Sequence, residues 1–266
     1  VFSGCGSGQT PNTEESTPKQ RTEEITENTE IPETSEESTE DTKPEDKPAA
    51  ASSFHACSIK TNSLGELKYW LYTPSDPTEN MPLIVYLHGG SGKGSDLNAV
   101  LEAESLPRFL QEGQLAPDAY VVMPQLPANC KGWSDRTAQL MQLLAVIKAQ
   151  YPIARTALTG HSMGGTGCWD LALAHPEAFC VAAPLSGSVR LTEQNLTSLQ
   201  SLPVWAVVGS ADTIVKPDAS EQFITALQEK NPNARLTVRE GATHFDVPQA
   251  YLDSTLGLLD WLTAAR

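Results

Sequence analysis

The chain has 266 residues, 39% of them hydrophobic, and a formal net charge of −15. That length supports one domain with a sizeable core. The acidity, without any cluster of Lys or Arg, speaks against nucleic acid as a partner, and no apolar run is long enough for a transmembrane helix.

The charge is unevenly spread. Up to Ala50 there are four Lys or Arg against thirteen Asp or Glu, a net of −9, and no aromatic residue stands between Phe2 and Phe54. A Thr/Pro/Glu-rich segment so poor in large apolar groups cannot bury enough surface to offset chain entropy. Residues 6–50 are therefore expected to be a disordered tether, and 51–266 the folded domain. Ahead of the tether stands Val1-Phe2-Ser3-Gly4-Cys5-Gly6. It resembles the lipobox of bacterial lipoproteins, with small residues before a Cys, and departs from it at Phe2, where that family usually has Leu. The resemblance implies that residues 1–4 leave with a signal peptide and that Cys5 becomes a lipidated N-terminus on the bacterial cell surface. The lipid would then be the only link to a membrane. A charged tether of this length would hold the domain on the order of 40 Å or more from it.

In the folded part, Phe54–Lys60 and Glu66–Tyr72 read as an antiparallel hairpin, the second strand alternating through Leu67, Tyr69 and Leu71. Leu83–Leu87 and Tyr120–Met123 are near-continuous apolar runs, as expected of strands covered on both faces. Thr156–Thr159, Val181–Leu185, Val204–Val208 and Arg235–Arg239 complete about eight strands. Helical patterns alternate with them at Leu97–Glu112, Asp135–Gln150, Met163–Ala174, Asp218–Glu229 and Gln249–Thr263. Within the second, Leu140, Leu143, Leu144 and Ile147 form an i, i+3, i+4, i+7 stripe, with Asp135 as a helix start. The alternation predicts an α/β fold with a mostly parallel sheet and helices on both faces. In such sheets ligands bind beyond the carboxyl ends of the strands. Cys57, Cys130, Cys168 and Cys180 permit three full pairings, and the sequence leaves disulfides and free thiols equally open.

Four residue groups come directly after strands. Gly160-His161-Ser162-Met163-Gly164 is a G-x-S-x-G pattern between a strand and a helix. A turn this sharp strains the serine and leaves no room for side chains at the flanking glycines, so Ser162 is the candidate nucleophile. Gly209-Ser210-Ala211-Asp212 comes after Val204–Val208 and offers Asp212 as the acid. Of its rivals, Asp218 reads as a helix N-cap and Asp246 lies two residues past His244. Of the five histidines, His55 is peripheral, His161 is expected to point away from Ser162, and His175 reads as a helix C-cap. His88 reads as a brace for its glycine-rich loop, which leaves His244, after Arg235–Arg239, as the base. His88-Gly89-Gly90-Ser91-Gly92-Lys93-Gly94 comes after Leu83–Leu87. The backbone N–H groups of Gly90 (or Gly89) and Met163 are the candidate oxyanion donors. This loop satisfies neither a Walker nor a dinucleotide-binding pattern, and no Cys/His spacing suggests a metal, so no cofactor is expected.

Leu87-His88-Gly89-Gly90, the Ser162 motif, Gly209-Ser210-Ala211-Asp212 and Thr243-His244 stand in the order Ser…Asp…His. With His175-Pro176-Glu177-Ala178-Phe179 and Pro184-Leu185-Ser186-Gly187, they resemble the α/β-hydrolase superfamily over residues 54–266. More narrowly, they resemble its small esterases without a cap domain, a group that includes feruloyl and acetylxylan esterases. The resemblance implies two-step acyl transfer through a Ser162–His244–Asp212 triad. It also implies a small-molecule or polysaccharide-linked ester as substrate. Trp133, in Gln125-Leu126-Pro127-Ala128-Asn129-Cys130-Lys131-Gly132-Trp133, is a candidate wall of the substrate pocket, its alternative being packing under the loop. A serine peptidase of the same fold, and a non-catalytic binding module that keeps the fold, remain as the other readings.

Overall fold

Residues 51–61 and 65–264 are described by a computed structural model. Cys5 and the expected tether at 6–50 lie outside the described residues.

Eight strands form one sheet: β1 (Ser53–Thr61), β2 (Gly65–Thr73), β3 (Met81–Leu87), β4 (Tyr120–Pro124), β5 (Ile153–His161), β6 (Val181–Leu185), β7 (Val204–Gly209) and β8 (Ala234–Arg239). Their spatial order is β1-β2-β4-β3-β5-β6-β7-β8. The β1–β2 hairpin joins β4 in antiparallel register, and all other neighbours are parallel. This is the mostly parallel α/β sheet with an N-terminal antiparallel hairpin that the alternation of strands and helices predicts. Every residue of β3, β4, β6 and β7 is buried, the physical origin of their unbroken apolar runs.

Successive strand residues feed two cores. Leu83, Val85 and Leu87 pack with α3 (Thr137–Gln150), α4 (Met163–Ala174), α5 (Glu193–Ser198) and α6 (Asp218–Gln228) on one face. Ile84 and Tyr86 pack with α2 (Leu106–Gln111) and α7 (Leu258–Thr263) on the other. The period-two alternation of a strand sends its side chains into the two layers in turn.

Several helix expectations need correction. The helix expected at Leu97–Glu112 is broken in two, α1 (Ala99–Glu102) and α2, by a turn at Ala103–Ser105. Pro107, in the first turn of α2, lacks the N–H that a continuous helix requires, and Ser105 is extended. The segment expected as Gln249–Thr263 is a 3₁₀ turn at Val247–Tyr251 and then, after a bend, the short α7. Asp253 accepts the N–H groups of Thr255 and Leu256 in that bend, and Gly257 takes φ +68° before α7. Asp218 is the first residue of α6 rather than its N-cap, which is Pro217. Asp135 sits in a 3₁₀ turn ahead of α3, where it accepts the Lys131 N–H at 2.6 Å. The sequence reading missed α5, whose cap Thr192 accepts the Asn195 N–H at 3.1 Å.

Candidate active site

β5 ends at His161 and the chain turns straight into α4. Ser162 sits between them at φ 60°, ψ −121°, one of three non-glycine residues with positive φ among those described. Its N–H donates to the Leu185 carbonyl at 3.0 Å, tying the turn to the end of β6. The flanking glycines are dictated by their surroundings. A Cβ on Gly164 would lie 1.8 Å from the Leu87 carbonyl oxygen, and one on Gly160 would lie 2.5 Å from the Gly164 oxygen. The G-x-S-x-G spacing thus records how tightly α4 is wedged against β3.

The loops after β7 and β8 bring the expected partners to this serine. His244 Nε2 lies 2.8 Å from Ser162 Oγ, and His244 Nδ1 lies 2.7 Å from Asp212 Oδ2. A carboxylate only accepts, so Nδ1 carries the proton and Nε2 accepts from the serine hydroxyl. The other Asp212 oxygen accepts the N–H groups of Ile214 and Val215, each at 2.9 Å. Burial alone would push the Asp212 carboxyl upward. The hydrogen bonds from His244 and these two amides outweigh it and hold the carboxyl below its usual range. The Ser186 hydroxyl adds to this effect from a position short of full hydrogen-bond geometry.

The glycine-rich loop closes the serine's other side. A Cβ on Gly89 would sit 3.3 Å from Ser162 Cβ, so only glycine lets this backbone approach so closely. The amides of Gly90 and Met163 meet no protein acceptor among the described residues. His88 braces the loop as expected. Its Nδ1 donates to the Gly89 carbonyl at 2.6 Å and its Nε2 accepts the Leu126 N–H at 2.9 Å. Burial pushes its pKa down to about 4, so the imidazole is neutral.

Two expectations change here. Trp133 is not a wall of the cleft. It is 1% exposed, donates to the His88 carbonyl at 3.0 Å and packs edge-on to the His88 ring. On its other side the indole abuts α4, where a Cβ on Gly167 would meet it at 2.6 Å. It supports the loop from beneath. His161 does not point away from the site either. Its ring lies 4.6 Å from that of His244, and its Nε2 donates to the His244 carbonyl at 2.9 Å. Burial first, and the neighbouring His244 second, push His161 down to about 4. A neutral ring there buttresses the His244 loop without competing for the Ser162 proton.

Ser162 and His244 open into a cleft of about 380 Å³. Its walls include Tyr86, the loop at 88–92, His161, Ala99 and Val100 of α1, Ala103 and Glu104 just after it, and Ile214, Phe245 and Pro248. Sequence reasoning named none of Glu104, Ile214 or Phe245 as a site residue. Their one available signal was position, since Ile214 and Phe245 lie within two residues of Asp212 and His244. Both are exposed apolar side chains, at 59% and 69%. No disulfide joins any two of Cys57, Cys130, Cys168 and Cys180, so none of the possible pairings forms.

The fold recurs in known structures. A thermostable esterase superposes with a TM-score of 0.67 at 24% identity, over 79% of this chain and 62% of that one. The chain thus spans less than two thirds of that relative. A feruloyl esterase module from Clostridium thermocellum complexed with sinapinate gives 0.62 at 17% identity, over 83% of this chain and 92% of that one. An S-formylglutathione hydrolase from Agrobacterium tumefaciens gives 0.59 at 17% identity, over 82% of this chain and 96% of that one. At such identities the likeness establishes the fold. No curated protein matches the sequence. The model of the Esterase family, described as "Putative esterase", matches residues 62–251, and the chain belongs to that family of α/β-hydrolase-fold proteins.

Proposed function

We propose that the protein is a serine carboxylesterase in which Ser162 is the nucleophile, His244 the general base and acid, and Asp212 the residue that orients His244. The observation that carries this reading is the continuous chain Ser162–His244–Asp212, at 2.8 and 2.7 Å, with the strained serine facing the cleft. In the first step His244 Nε2 takes the Ser162 proton while Oγ attacks the ester carbonyl. The tetrahedral oxyanion is held by the N–H groups of Gly90 and Met163, a kind of donor worth about 3 kcal/mol each. The carbonyl–alcohol bond then breaks, and the alcohol leaves with the proton from His244. Water repeats the sequence on the acyl-enzyme and regenerates Ser162. Asp212 keeps the proton on Nδ1 and stabilises the imidazolium, and its depressed pKa keeps it ionised while it does so.

For the substrate we propose short-acyl or polysaccharide-linked esters. The cleft is lined mainly by apolar groups and glycine backbone, and a feruloyl esterase module shares the fold. Initial rates on p-nitrophenyl acetate, methyl ferulate, acetylated xylan and a peptide p-nitroanilide test both levels. Hydrolysis of the esters with no turnover of the anilide is expected. Turnover of the anilide at a comparable kcat/KM would instead favour a peptidase. We further propose that Cys5 carries a lipid anchor, on the strength of the small-residue stretch before it and the acidic segment after it. Mass spectrometry of protein from its native host is expected to show an acylated Cys5. An unmodified Cys5 thiol within an intact 1–6 segment would overturn this.

A further inference from the structure

The walls of the cleft carry a charge pattern that acyl transfer at Ser162 does not require. Of the Asp, Glu, Lys and Arg among the described residues, Glu104 alone is a residue of the cleft wall. It stands there because the break before Pro107 turns Ala103–Ser105 out of helix. The buried Ser105 hydroxyl, hydrogen-bonded to Tyr86 Oη at 2.6 Å, then fixes that turn against a cleft wall. Of the cations nearby, Arg108 pairs with Glu112 at 2.7 Å and also acts electrostatically on Glu104 from outside the cleft wall, and Lys93 is turned to the Cys130 carbonyl at 2.5 Å. Of the three buried histidines in the wall, His88 and His161 are held neutral by burial, and the third, His244, is the proposed base. Ser162 and Glu104 line the same cleft, and charges interact over about 10 Å in 0.1 M salt.

We propose that Glu104 is a specificity-determining residue that makes the cleft reject esters with a negative charge on the bound group and accept neutral or cationic ones. This rests on the esterase reading. The expected substrates are then acetyl or neutral hydroxycinnamoyl esters of uncharged sugars. Esters of alcohols or thiols that carry carboxylates are expected to be poor substrates. Glu104 is exposed, so solvent screening limits its effect to several-fold rather than orders of magnitude.

The test uses two matched ester pairs, each differing by a terminal methyl or carboxylate, one pair on the acyl side and one on the alcohol side. For at least one pair, Glu104→Gln is expected to raise the anionic-to-neutral ratio of kcat/KM by about three- to fivefold, and Glu104→Lys to raise it further. In the wild type the same ratio is expected to rise as salt increases. That second measurement does not depend on either variant folding. Ratios that are equal in wild type and variants for both pairs, or a wild-type ratio indifferent to salt, overturn this inference alone. Failure of the wild type to hydrolyse any of the four esters overturns the esterase reading, and this inference with it.

Discussion

Ser162→Ala is expected to abolish ester hydrolysis, lowering kcat on p-nitrophenyl acetate by about four to six orders of magnitude. Among the described residues no other hydroxyl has the Ser162 geometry of a histidine nitrogen 2.8 Å away and a glycine backbone packed against its Cβ. Without Oγ there is no acyl-enzyme, and only the oxyanion donors and the cleft remain to assist water. The triad acts as a unit, so His244→Ala should cost about as much as Ser162→Ala, and the double variant little more than either. Asp212→Asn leaves a similar shape but favours the wrong His244 tautomer, for an expected loss of about 10⁴. Thermal melting separates catalysis from folding. Alanine inherits the positive φ of Ser162 and loses one hydrogen bond, so the change in stability should stay within about 1–2 kcal/mol. A Ser162→Ala protein that kept more than about one hundredth of wild-type kcat would remove the serine from its role.

The sheet was legible because burial on both faces leaves few options. A run such as Leu83–Leu87 is apolar throughout, and each of its residues enters one of two cores. The triad was legible for a related reason. Parallel strands place their carboxyl ends on one edge, so Ser162, Asp212 and His244 could be found in the loops that leave those ends. Helices were less legible where their ends depend on one local event. Pro107 broke a helix that its apolar spacing had made continuous, and that break created the wall carrying Glu104. Trp133 and His161 were misplaced because a sequence gives proximity along the chain but not orientation. Trp133 lies beyond a strand end like the site residues, yet its indole turns down between His88 and α4. His161 is the last residue of β5, one position before Ser162, and its ring reaches back to the His244 loop.

Gly164→Ala is expected to be the most damaging Gly→Ala change among the described residues, costing about 3–5 kcal/mol of stability. The added Cβ would lie 1.8 Å from the Leu87 carbonyl oxygen and 2.4 Å from its carbon. Both atoms are backbone, so no side chain can rotate away. Leu87 cannot retreat, because β3 is paired with β4 on one side and β5 on the other. Nor can α4 lift as a whole, since the Ser162 N–H is bonded to Leu185 and a Cβ on Gly165 would already meet the Leu185 oxygen at 2.2 Å. Helix propensity would predict the opposite, because alanine normally stabilises a helix over glycine by about 1 kcal/mol. The steric term is several times larger and decides the sign. Gly132→Ala is the control, since its backbone is extended and nothing lies within 4 Å of the new methyl. The melting temperature of Gly164→Ala is expected to fall by about 10 °C while that of Gly132→Ala stays within about 2 °C of the wild type. Whatever folded fraction of Gly164→Ala survives should hydrolyse esters poorly, because α4 can make room only by moving Ser162 away from His244. A Gly164→Ala protein that melted with the wild type would mean that α4 is not wedged against β3, and that the glycines of this motif answer to something other than space.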